Sequence, residues 1–399
     1  MRPIAANLCR LMEDAVIVAA RRSVIGVAGH GLRNVAVERL AADVLQSVVT
    51  DVAADAGVER ASIVEAMADV VLGNVMGPGG NVARLSALTA GFGFGVAGLT
   101  VDRQCGSGLE AINLAAALVR SGAGAFYLAG GAESPSTAPW RFVRPTTPAE
   151  LPQPYARARF SPPEIGDPDM GVAAETVARE YGISRQRQDA FAARSHRLAL
   201  AARQAAVFEP ELVAIAGLDQ DERPRAGLTE AKLARFPAAF VPGGTVTAGN
   251  TCGVNDGAAV VAVTTNAWRE AHGLPGLRVV GFEVAGVDPN RCGIGVVPAV
   301  ERLLTRCGLG VADLGVVEIT EAFAGQVLAC LDVLGIDEQI VCPDGGAIAL
   351  GHPWGATGAV LMVRLFTTMV RRRGPRFGLA TCAIGGGLGV ATLVERLDR

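Results

Sequence analysis

Apolar, β-branched runs alternate with Ala- and Leu-rich runs along most of the chain, and this alternation predicts stacked βαβ units. The apolar runs predict strands at 14–20, 68–75, 125–131, 260–265, 278–286, 315–320 and 377–385. The Ala- and Leu-rich runs predict helices at 35–57, 106–122, 299–308 and 357–373. The pattern therefore indicates the α/β class.

Two segments of this pattern resemble each other and predict a duplicated α/β half. Each runs from a Gly-rich turn through a helix with a basic last turn to an apolar strand and a second Gly-rich loop. The segments are "CGSGLEAINLAAALVRSGAGAFYLAGGAES" and "GHPWGATGAVLMVRLFTTMVRRRGPRFGLATCAIGGG". Two βαβ units of any open sheet share some of these features, so the repeat alone leaves an undivided sheet open.

A region of different composition separates the two segments. Residues 135–168 are rich in Pro, Arg and Ser, which predicts a loop, whereas 170–208 is strongly helical, with Ser184 placed to cap its second helix. We interpret this region as an insertion in the first half. Such insertions often cover a site and bind the large part of a substrate.

Composition excludes several functional classes. The 399 residues are 50% hydrophobic and carry a net charge of −3, so nothing favours a nucleic-acid partner. No window reaches about eighteen uninterrupted apolar residues, so we expect no membrane span. Glu13 and Asp14 interrupt the N-terminal run before it reaches the length of a signal peptide. We therefore expect a cytoplasmic protein.

The cysteines show no pattern of a metal site. Eight Cys and four His include no C-x-x-C pair and no Cys/His ligand spacing, so we expect neither a metal nor a redox cofactor. In a reducing compartment most of these thiols are small buried hydrophobic groups. A catalytic thiol has to be argued against that background.

Cys105 is the strongest nucleophile candidate. It ends "GLTVDRQ" and begins "CGSGLEAI", where a strand turns into a helix whose free N–H groups favour a thiolate and can stabilise an oxyanion. Gly106 and Gly108 leave room for a substrate. The competing interpretation is a buried, inert thiol.

Two further side chains could move or hold protons. His352 lies in the Gly-rich "DGGAIALGHPWGATGAV" and suits proton exchange near neutral pH, although a turn histidine bonded to backbone is the alternative. Glu321 follows a predicted strand end in "EITEAFAGQ", where a carboxylate could orient a histidine or a water. A helix-capping carboxylate is equally plausible there.

Taken together, these segments resemble the thiolase family from about residue 14 to the C-terminus. The shared motifs, in the family's order and at similar spacing, are "RRSVIG", "VDRQCGSGLEAI", "AGGAES", "MGVAAETVAREYGISRQRQDAFAARS", "GTVTAGNTCGVNDGAA", "EAFAGQ", "GGAIALGHPWGATGA" and "IGGGLG".

The resemblance implies a thiolase fold, a duplicated five-layer α/β/α/β/α arrangement with an inserted loop domain that binds coenzyme A. The N-terminal half would comprise 1–134 and 209–274, with the loop domain at about 135–208 extending into 209–250. The C-terminal half would be 275–399. The resemblance also implies a homodimer or homotetramer.

The implied chemistry is acyl transfer through a cysteine. Cys105 matches the nucleophile, His352 the histidine that activates it, and Gly385 the donor that forms an oxyanion hole with the backbone N–H of Cys105. Met170 and Phe323 match pocket positions near the acyl and pantetheine groups, whereas Phe240 matches a position near pantetheine. The CoA thioester is a substrate, and no cofactor is implied.

The chain departs from the family at the second catalytic cysteine. Thiolases typically read "GLATxCIGGGxG", in which a cysteine directly before the Ile removes an α-proton; that position is Ala383 here, and Cys382 precedes it. A slip of one residue on a strand turns a side chain to the opposite face. We therefore expect Cys382 in the core and a methyl group towards the substrate.

Other departures surround the same pocket. Thr320 replaces the Asn or His of the family's "NEAF" or "HEAF", and losing such an oxyanion donor costs on the order of 10²–10³ in rate. Cys252 stands where a Ser commonly bonds pantetheine, Cys292 where a Met often lines the pocket, and Asp169 where His or Pro is usual.

Three functions follow from this pattern. The first is an acyltransferase that loads Cys105 and passes the acyl group on, either in a Claisen-type condensation driven by decarboxylation or to an amine, an alcohol or water. The second is a non-catalytic thiolase-like partner subunit. The third is an ordinary acetyl-CoA acetyltransferase or 3-ketoacyl-CoA thiolase in which a β-bulge lets Cys382 act as the base. The sequence leaves open whether CoA or a carrier protein bears the acyl group.

Overall fold

The computed structural model describes residues 13–155 and 157–398. Cys9 lies outside the described residues. So do residues 1–12, on which the expectation of no signal peptide rests.

Strands and helices alternate along the described chain. The strands are β1 (Ala15–Ser23), β2 (Gly26–Val27), β3 (Asp69–Gly73), β4 (Ala97–Val101), β5 (Phe126–Glu133), β6 (Phe142–Val143), β7 (Gln153–Pro154), β8 (Leu212–Val213), β9 (Asn255–Thr265), β10 (Gly276–Gly286), β11 (Val316–Ile319), β12 (Phe377–Ile384) and β13 (Leu388–Leu397). The helices are α1 (Val37–Ala56), α2 (Arg60–Ala66), α3 (Val82–Thr89), α4 (Ser107–Arg120), α5 (Met170–Glu180), α6 (Arg185–Gln204), α7 (Glu230–Leu233), α8 (Asn266–Ala271), α9 (Val296–Cys307), α10 (Ala324–Leu334), α11 (Ala347–Leu350) and α12 (Trp354–Phe366).

The order of the strands shows that the α/β unit is duplicated. The main sheet runs β11-β12-β13-β10-β1-β9-β5-β3-β4. In the N-terminal half β3 and β5 are parallel, β5 and β9 antiparallel, and β9 and β1 antiparallel. The same sequence of pairings recurs in the other half through β11, β12, β13 and β10. The halves meet where β1 pairs with β10 over Val16↔Arg278 and Ile17↔Leu277.

Three hydrophobic clusters hold the five layers together. One cluster holds α4 and α12 between the inner faces of both halves of the sheet. A second packs α1 and α3 on the outer face of the N-terminal half, and a third packs α9 and α10 on the outer face of the C-terminal half. The chain therefore has the duplicated five-layer α/β/α/β/α fold that the motifs imply.

The helices of the central layer approach each other closely at glycines. A Cβ on Gly108 of α4 would lie 2.8 Å from the carbonyl oxygen of Gly355, and one on Gly358 of α12 would lie 2.5 Å from the backbone nitrogen of Leu109. Contacts this short admit no side chain. The small residues therefore let the first turns of α4 and α12 lie against each other.

Most predicted elements are confirmed, and the differences occur where the pattern is weak. The strand and helix cores lie where periodicity placed them, and the Ser184 hydroxyl caps α6 by accepting from the Arg187 N–H at 3.2 Å. Strand β13 was not predicted, and neither were the two-residue strands β2, β6, β7 and β8. β4 is a partly exposed edge strand, and its sequence "AGLTV" consists largely of small and polar residues. The predicted helix 357–373 begins earlier, after Pro353, and changes into a π turn at Thr367–Arg371.

A buried ion network ties the two halves together. Arg22 of β1 donates from Nε to Glu211 (2.7 Å) and from Nη1 to Asp221 (2.8 Å), while Arg364 of α12 donates to the other oxygen of Glu211. Both guanidinium groups lie over the ring of Phe208, at 5.3 and 4.7 Å from its centroid. Glu211 is fully buried, and the two arginines lower the pKa of its carboxyl although burial opposes them.

Within the described residues, no helix combines the length and the apolar character that a membrane crossing requires.

We expect Glu211→Gln to lower the free energy of unfolding by about 3–5 kcal/mol, because it leaves two buried guanidinium groups without their shared counter-charge. Urea unfolding at fixed protein concentration measures this loss. Asp332→Asn is the matched control, since Asp332 pairs with Arg187 where both side chains are exposed by 43% and 39%, and we expect a loss below about 1 kcal/mol. Equal losses in the two variants would contradict the structural role of the network.

Candidate active site

One cleft brings together the side chains for which the sequence predicts acyl-transfer chemistry. Cys105, His352 and Gly385 line it with Ala383, and the predicted pocket residues Met170, Phe323, Cys252 and Cys292 form further walls. The cavity volume is about 110 Å³, which suits a small group rather than a drug-sized ligand. Larger clefts elsewhere in the described chain contain none of these residues.

The turn between β4 and α4 holds Cys105 in a defined place. Gln104 has φ = 46°, in the left-handed region that side chains rarely adopt. The Ser107 hydroxyl accepts from the Arg103 N–H (2.8 Å) and donates to the Gln104 carbonyl (2.6 Å), which fixes the turn on both sides of the cysteine. The sequence predicted this strand-to-helix turn correctly.

The Cys105 thiol is neutral in the free protein. Burial raises its pKa, and the neighbouring thiols Cys382, Cys252 and Cys292 raise it further. A backbone hydrogen bond at Cys105 opposes this rise in pKa without reversing it. Attack on a thioester therefore requires a base that removes the thiol proton as the bond forms.

His352 is held as a neutral imidazole. Its Nδ1 pairs with the Thr357 hydroxyl at 2.7 Å, and its backbone N–H donates to the Asn255 side-chain oxygen at 3.1 Å. Burial lowers the pKa of His352 to about 4. With Nδ1 engaged by Thr357, Nε2 is the ring nitrogen left to exchange a proton with a thiol.

Glu321 supports the loop that leads to His352. Its Oε2 accepts from the Ser195 hydroxyl (2.6 Å) and from the Ile348 N–H (3.1 Å), and burial raises its pKa to about 6. Among the described contacts it has none with the His352 ring. The structure therefore gives Glu321 a positioning contact with α11, and a direct role in proton transfer stays a prediction.

A second buried carboxylate, which sequence reasoning missed, fixes the start of α12. Glu133 at the end of β5 accepts from the N–H groups of Val75 (3.0 Å), Met76 (2.9 Å) and Gly355 (3.1 Å). Burial raises its pKa to about 7. Its signal in the sequence was a lone Glu closing the apolar strand of "AGGAES". Thr357 was missed as well, although a hydroxyl five residues after a candidate histidine lies within one turn of the same helix start.

β12 places Ala383, and not a thiol, in the cleft. Ala383 lines the cavity, whereas Cys382 is fully buried and its Sγ lies 3.1 Å from the Thr320 hydroxyl. Burial raises the pKa of Cys382 to about 12. The β12–β13 ladder runs from Phe377 to Ile384 without a register shift, so no bulge turns Cys382 towards the substrate. The opposite facing of the two residues, expected from the sequence, is confirmed.

Thr320 also lies away from the cleft. It is fully buried and its hydroxyl is engaged with the Cys382 sulfur. The side chain at this position therefore offers no donor to the cavity. No contact of Thr320 among the described residues supports its predicted role in catalysis, and that role stays a prediction.

The segment 157–167 packs over Gly385. A Cβ on Gly385 would lie 2.8 Å from the ring of Phe160, and the Arg157 guanidinium stacks on the other side of that ring at 4.8 Å. Asp167 holds both residues, since it accepts from Arg157 Nη1 (2.9 Å) and from the Phe160 N–H (3.2 Å). The absence of a side chain at Gly385 therefore lets the ring of Phe160 pack against its backbone.

The walls of the cleft are sulfur-rich and apolar. The Cys292 thiol donates to the Met170 sulfur at 3.9 Å, and burial raises the pKa of Cys292 and of Cys252 to about 11. Phe240 lies outside the cavity lining, 43% exposed, with its ring edge-to-face to Phe323 at 6.1 Å. That position suits a group that enters from solvent.

Comparison with known proteins gives a consistent relationship. The models of the thiolase N-terminal and C-terminal domains match residues 15–267 and 274–396. VraB of Staphylococcus haemolyticus, which carries the provisional name of an acetyl-CoA C-acetyltransferase, is 42% identical over 392 residues, covering 96% of this chain and 99% of VraB. YhfS of Bacillus subtilis, with the same provisional name, is 40% identical over 96% of this chain and all of its own length.

Solved structures agree with these relatives. The crystal structure of the Bacillus anthracis acetyl-CoA acetyltransferase superposes with a TM-score of 0.87 at 36% identity, covering 97% of this chain and 99% of that one. Human mitochondrial 3-ketoacyl-CoA thiolase in complex with CoA gives a TM-score of 0.89 at 31% identity over the same shares. The chain therefore belongs to the thiolase family, whose fold it shares and whose named relatives are acyltransferases.

Proposed function

We propose that this protein is an acyltransferase that forms an acyl thioester on Cys105 and completes the reaction without a second catalytic thiol. The observation that carries the proposal is the methyl group of Ala383 in the cleft beside Cys105 and His352. A thiolase base would need a titratable side chain at this point. The nucleophile and its histidine are retained, and the residue that removes an α-proton is not.

The first half-reaction uses groups that line the cleft. Neutral His352 takes the Cys105 proton on Nε2 while the sulfur attacks the carbonyl carbon of an acyl thioester. The backbone N–H groups of Cys105 and Gly385 are the candidate donors to the oxyanion. Collapse of the tetrahedral intermediate expels the carrier thiolate, which takes the proton from His352. Cys105 then bears the acyl group.

The second half-reaction needs a carbon nucleophile that forms without proton abstraction. Loss of CO₂ from a malonyl-type thioester leaves the bonding electron pair on the α-carbon as an enolate, which attacks the acyl-Cys105 carbonyl. Cys105 leaves as a thiolate and takes up one proton from solvent through His352, and a 3-ketoacyl thioester is released. This Claisen-type condensation requires a site with little water, and the buried His352 and the mostly apolar lining of the cleft favour one.

The proposal extends to the carrier and the assembly. The complex of the human relative with CoA favours an acyl-CoA donor over a carrier protein. The edge strand β4, with Leu99 exposed by 41%, ends the sheet directly before the nucleophile turn and favours a homodimer that would cover this edge.

A second candidate function comes from the relatives' names. VraB and YhfS are named as acetyl-CoA C-acetyltransferases, an activity that condenses two acetyl-CoA molecules. Here that activity would require Cys382 to act as the base although its side chain is fully buried and does not line the cleft. The engagement of its sulfur with Thr320 disfavours this reading.

We expect incubation with acetyl-CoA to add one acetyl group to the protein, and addition of malonyl-CoA to remove it with release of a 3-ketoacyl-CoA and CO₂. Intact-mass spectrometry and product analysis measure both steps. Cys105→Ala is the control and should gain no mass, whereas Cys307→Ala, which removes a thiol distant from the cleft, should behave like the parent. Absence of an adduct with acetyl-CoA and longer acyl-CoAs would instead favour the non-catalytic partner.

We expect Ala383→Cys to raise the condensation of acetyl-CoA without malonyl-CoA by on the order of 10²-fold, because it restores a thiol able to remove an α-proton. Initial rates of acetoacetyl-CoA formation measure the gain. Ala383→Ser is the matched control, since it has nearly the same size but its hydroxyl does not act as a base. The second candidate function would be established if Ala383→Cys left the rate of acetoacetyl-CoA formation unchanged and Cys382→Ala abolished it.

We expect the rate of Cys105 acylation to stay nearly constant between about pH 8 and pH 5.5. The pKa of His352 is lowered to about 4, so the imidazole remains unprotonated, and able to accept the thiol proton, well below the usual value of 6.5. Quenched-flow mass spectrometry of the acetyl adduct measures the profile. A loss of activity centred near pH 6.5 would contradict the buried, neutral histidine.

A further inference from the structure

A second, larger cleft lies at the other end of α12 from the catalytic cleft. Its volume is about 880 Å³. α12 begins at Trp354, which lines the catalytic cleft, and ends at Phe366, which lines the second one. The helix has 13 residues, so it spans about 20 Å between the two sites. The proposed reaction uses no residue of the second cleft.

Four arginines from separate parts of the chain line the second cleft. Arg21 belongs to β1 and Arg396 to β13, whereas Arg371 ends the π turn after α12 and Arg373 follows it. A guanidinium group presents five N–H donors in a planar fork that matches the oxygens of a phosphate or carboxylate. Several such groups around one cleft attract an anion unless carboxylates of the protein neutralise them.

The carboxylates of the second cleft are paired with two of these arginines. Asp51 accepts from Arg21 Nε (2.5 Å) and Nη2 (2.9 Å), and Asp398 forms an ion pair with Arg396 at 3.3 Å. The hydrogen bonds to Asp51 raise the pKa of Arg21, and the charge of Asp55, which also lines the cleft, adds to this rise. Arg21 and Arg396 therefore have carboxylate partners in the free protein.

Arg371 forms no ion pair with any residue that the structure describes. Its Nη1 donates to the Thr367 hydroxyl (2.9 Å) and its Nη2 to the Ala20 carbonyl oxygen (2.6 Å), and both acceptors are uncharged. Its guanidinium group lies 5.0 Å from the centroid of the Phe366 ring. Burial lowers the pKa of Arg371 to about 10 although Glu211 opposes the shift. The charge of Arg371 is therefore incompletely balanced, and a bound anion would balance it.

Arg373 combines an unfavourable backbone conformation with an unengaged side chain. Its φ is 50°, in the left-handed region that glycine adopts more easily. Its N–H donates to the Val370 carbonyl at 3.2 Å and the Gly374 N–H to the Thr368 carbonyl at 3.0 Å, which holds the turn. The side chain is exposed, and within the described chain it has no hydrogen bond or ion pair. Backbone outliers of this kind cluster at ligand-binding positions.

Apolar side chains form the rest of the lining. They include Val18, Leu274, Pro275, Phe366 and Leu397. The volume of about 880 Å³ falls within the range of about 300–1,000 Å³ that is typical of small-molecule sites. An inorganic anion would leave this apolar surface in contact with water, whereas a planar ring would cover it. The lining therefore favours an anion that carries an apolar ring.

We propose that the second cleft is a binding site for a nucleoside phosphate, with the phosphate groups on Arg371 and Arg373 and the base against the apolar lining. The oxygens of one phosphate can accept from both guanidinium forks, and their charge supplies the counter-charge that Arg371 lacks. The site lies outside the catalytic cleft, and the inference does not rest on the proposed function.

Calorimetric titration of the whole protein with ATP, adenosine and tripolyphosphate tests the proposal. We expect one ATP per chain, bound at least about 10-fold more tightly than adenosine or tripolyphosphate, because each of these lacks one of the two recognised parts. CoA itself contains a nucleotide, so the titration with ATP is repeated on Cys105→Ala protein that is saturated with acetyl-CoA. We expect ATP to bind there with the same affinity.

Arg373→Gly is the decisive variant, because glycine suits the left-handed backbone and the fold is kept. We expect it to bind ATP about 10-fold more weakly, as the loss of a charge-assisted hydrogen bond implies. Arg373→Lys, which keeps the charge without the fork, should lose less. Arg302→Gln is the matched control, since Arg302 is exposed on α9 outside the cleft, and should bind ATP like the parent. Thermal unfolding of each variant checks the fold.

Four results would overturn the proposal. A folded parent that binds no ATP removes the site, and tripolyphosphate that binds as tightly as ATP removes the nucleoside. Loss of ATP binding in the presence of acetyl-CoA places the nucleotide in the catalytic cleft. Unchanged affinity in Arg373→Gly places it away from the arginines. None of these titrations requires acyl transfer, so they stand whether or not Cys105 forms an adduct.

Discussion

The close approach of α4 and α12 is the constraint on which the site depends. The two helices occupy the same layer between the halves of the sheet, and their first turns touch through backbone at Gly108 and Gly358. Cys105 lies just before one helix and His352 just before the other. Residues 247 positions apart in the sequence, by their numbers, thus share a cleft because no side chain separates the helices. Larger residues at these glycines would move the thiol away from its base.

The second constraint is the alternation of side chains along β12. An unbroken ladder leaves no freedom to choose which face a residue occupies, so a cysteine placed one position early is lost to the cleft. The Thr320 hydroxyl donates a hydrogen bond to the Cys382 sulfur in the core, where each would otherwise be an unpaired polar group. These two departures form one local arrangement, which argues that the core has accommodated a chemistry that does without them.

Much of this could be predicted from the sequence, because it rests on local periodicity and on motif order. The α/β class follows from periods of two and 3.6 residues, the duplication from two similar segments, and the Ser184 cap from the residue type before a helix. The opposite facing of Cys382 and Ala383 follows from the resemblance to the thiolase motif together with the alternation of side chains along a strand. Glu133 was not recognised from the sequence, because its role depends on which backbone N–H groups the three-dimensional packing brings to its carboxylate.

The direction of the pKa shifts is another property that the sequence could not supply. The turn before α4 suggested a stabilised thiolate, yet burial among neighbouring thiols raises the pKa of Cys105 and burial lowers that of His352. The Cys105 thiol and the His352 imidazole are both uncharged in the resting site. Charges therefore appear on the sulfur and on the imidazole only while a substrate is reacting. Such a site favours a reaction that generates its carbanion by loss of CO₂. An apolar cavity destabilises the charged carboxylate of the substrate, whereas the CO₂ that leaves is neutral.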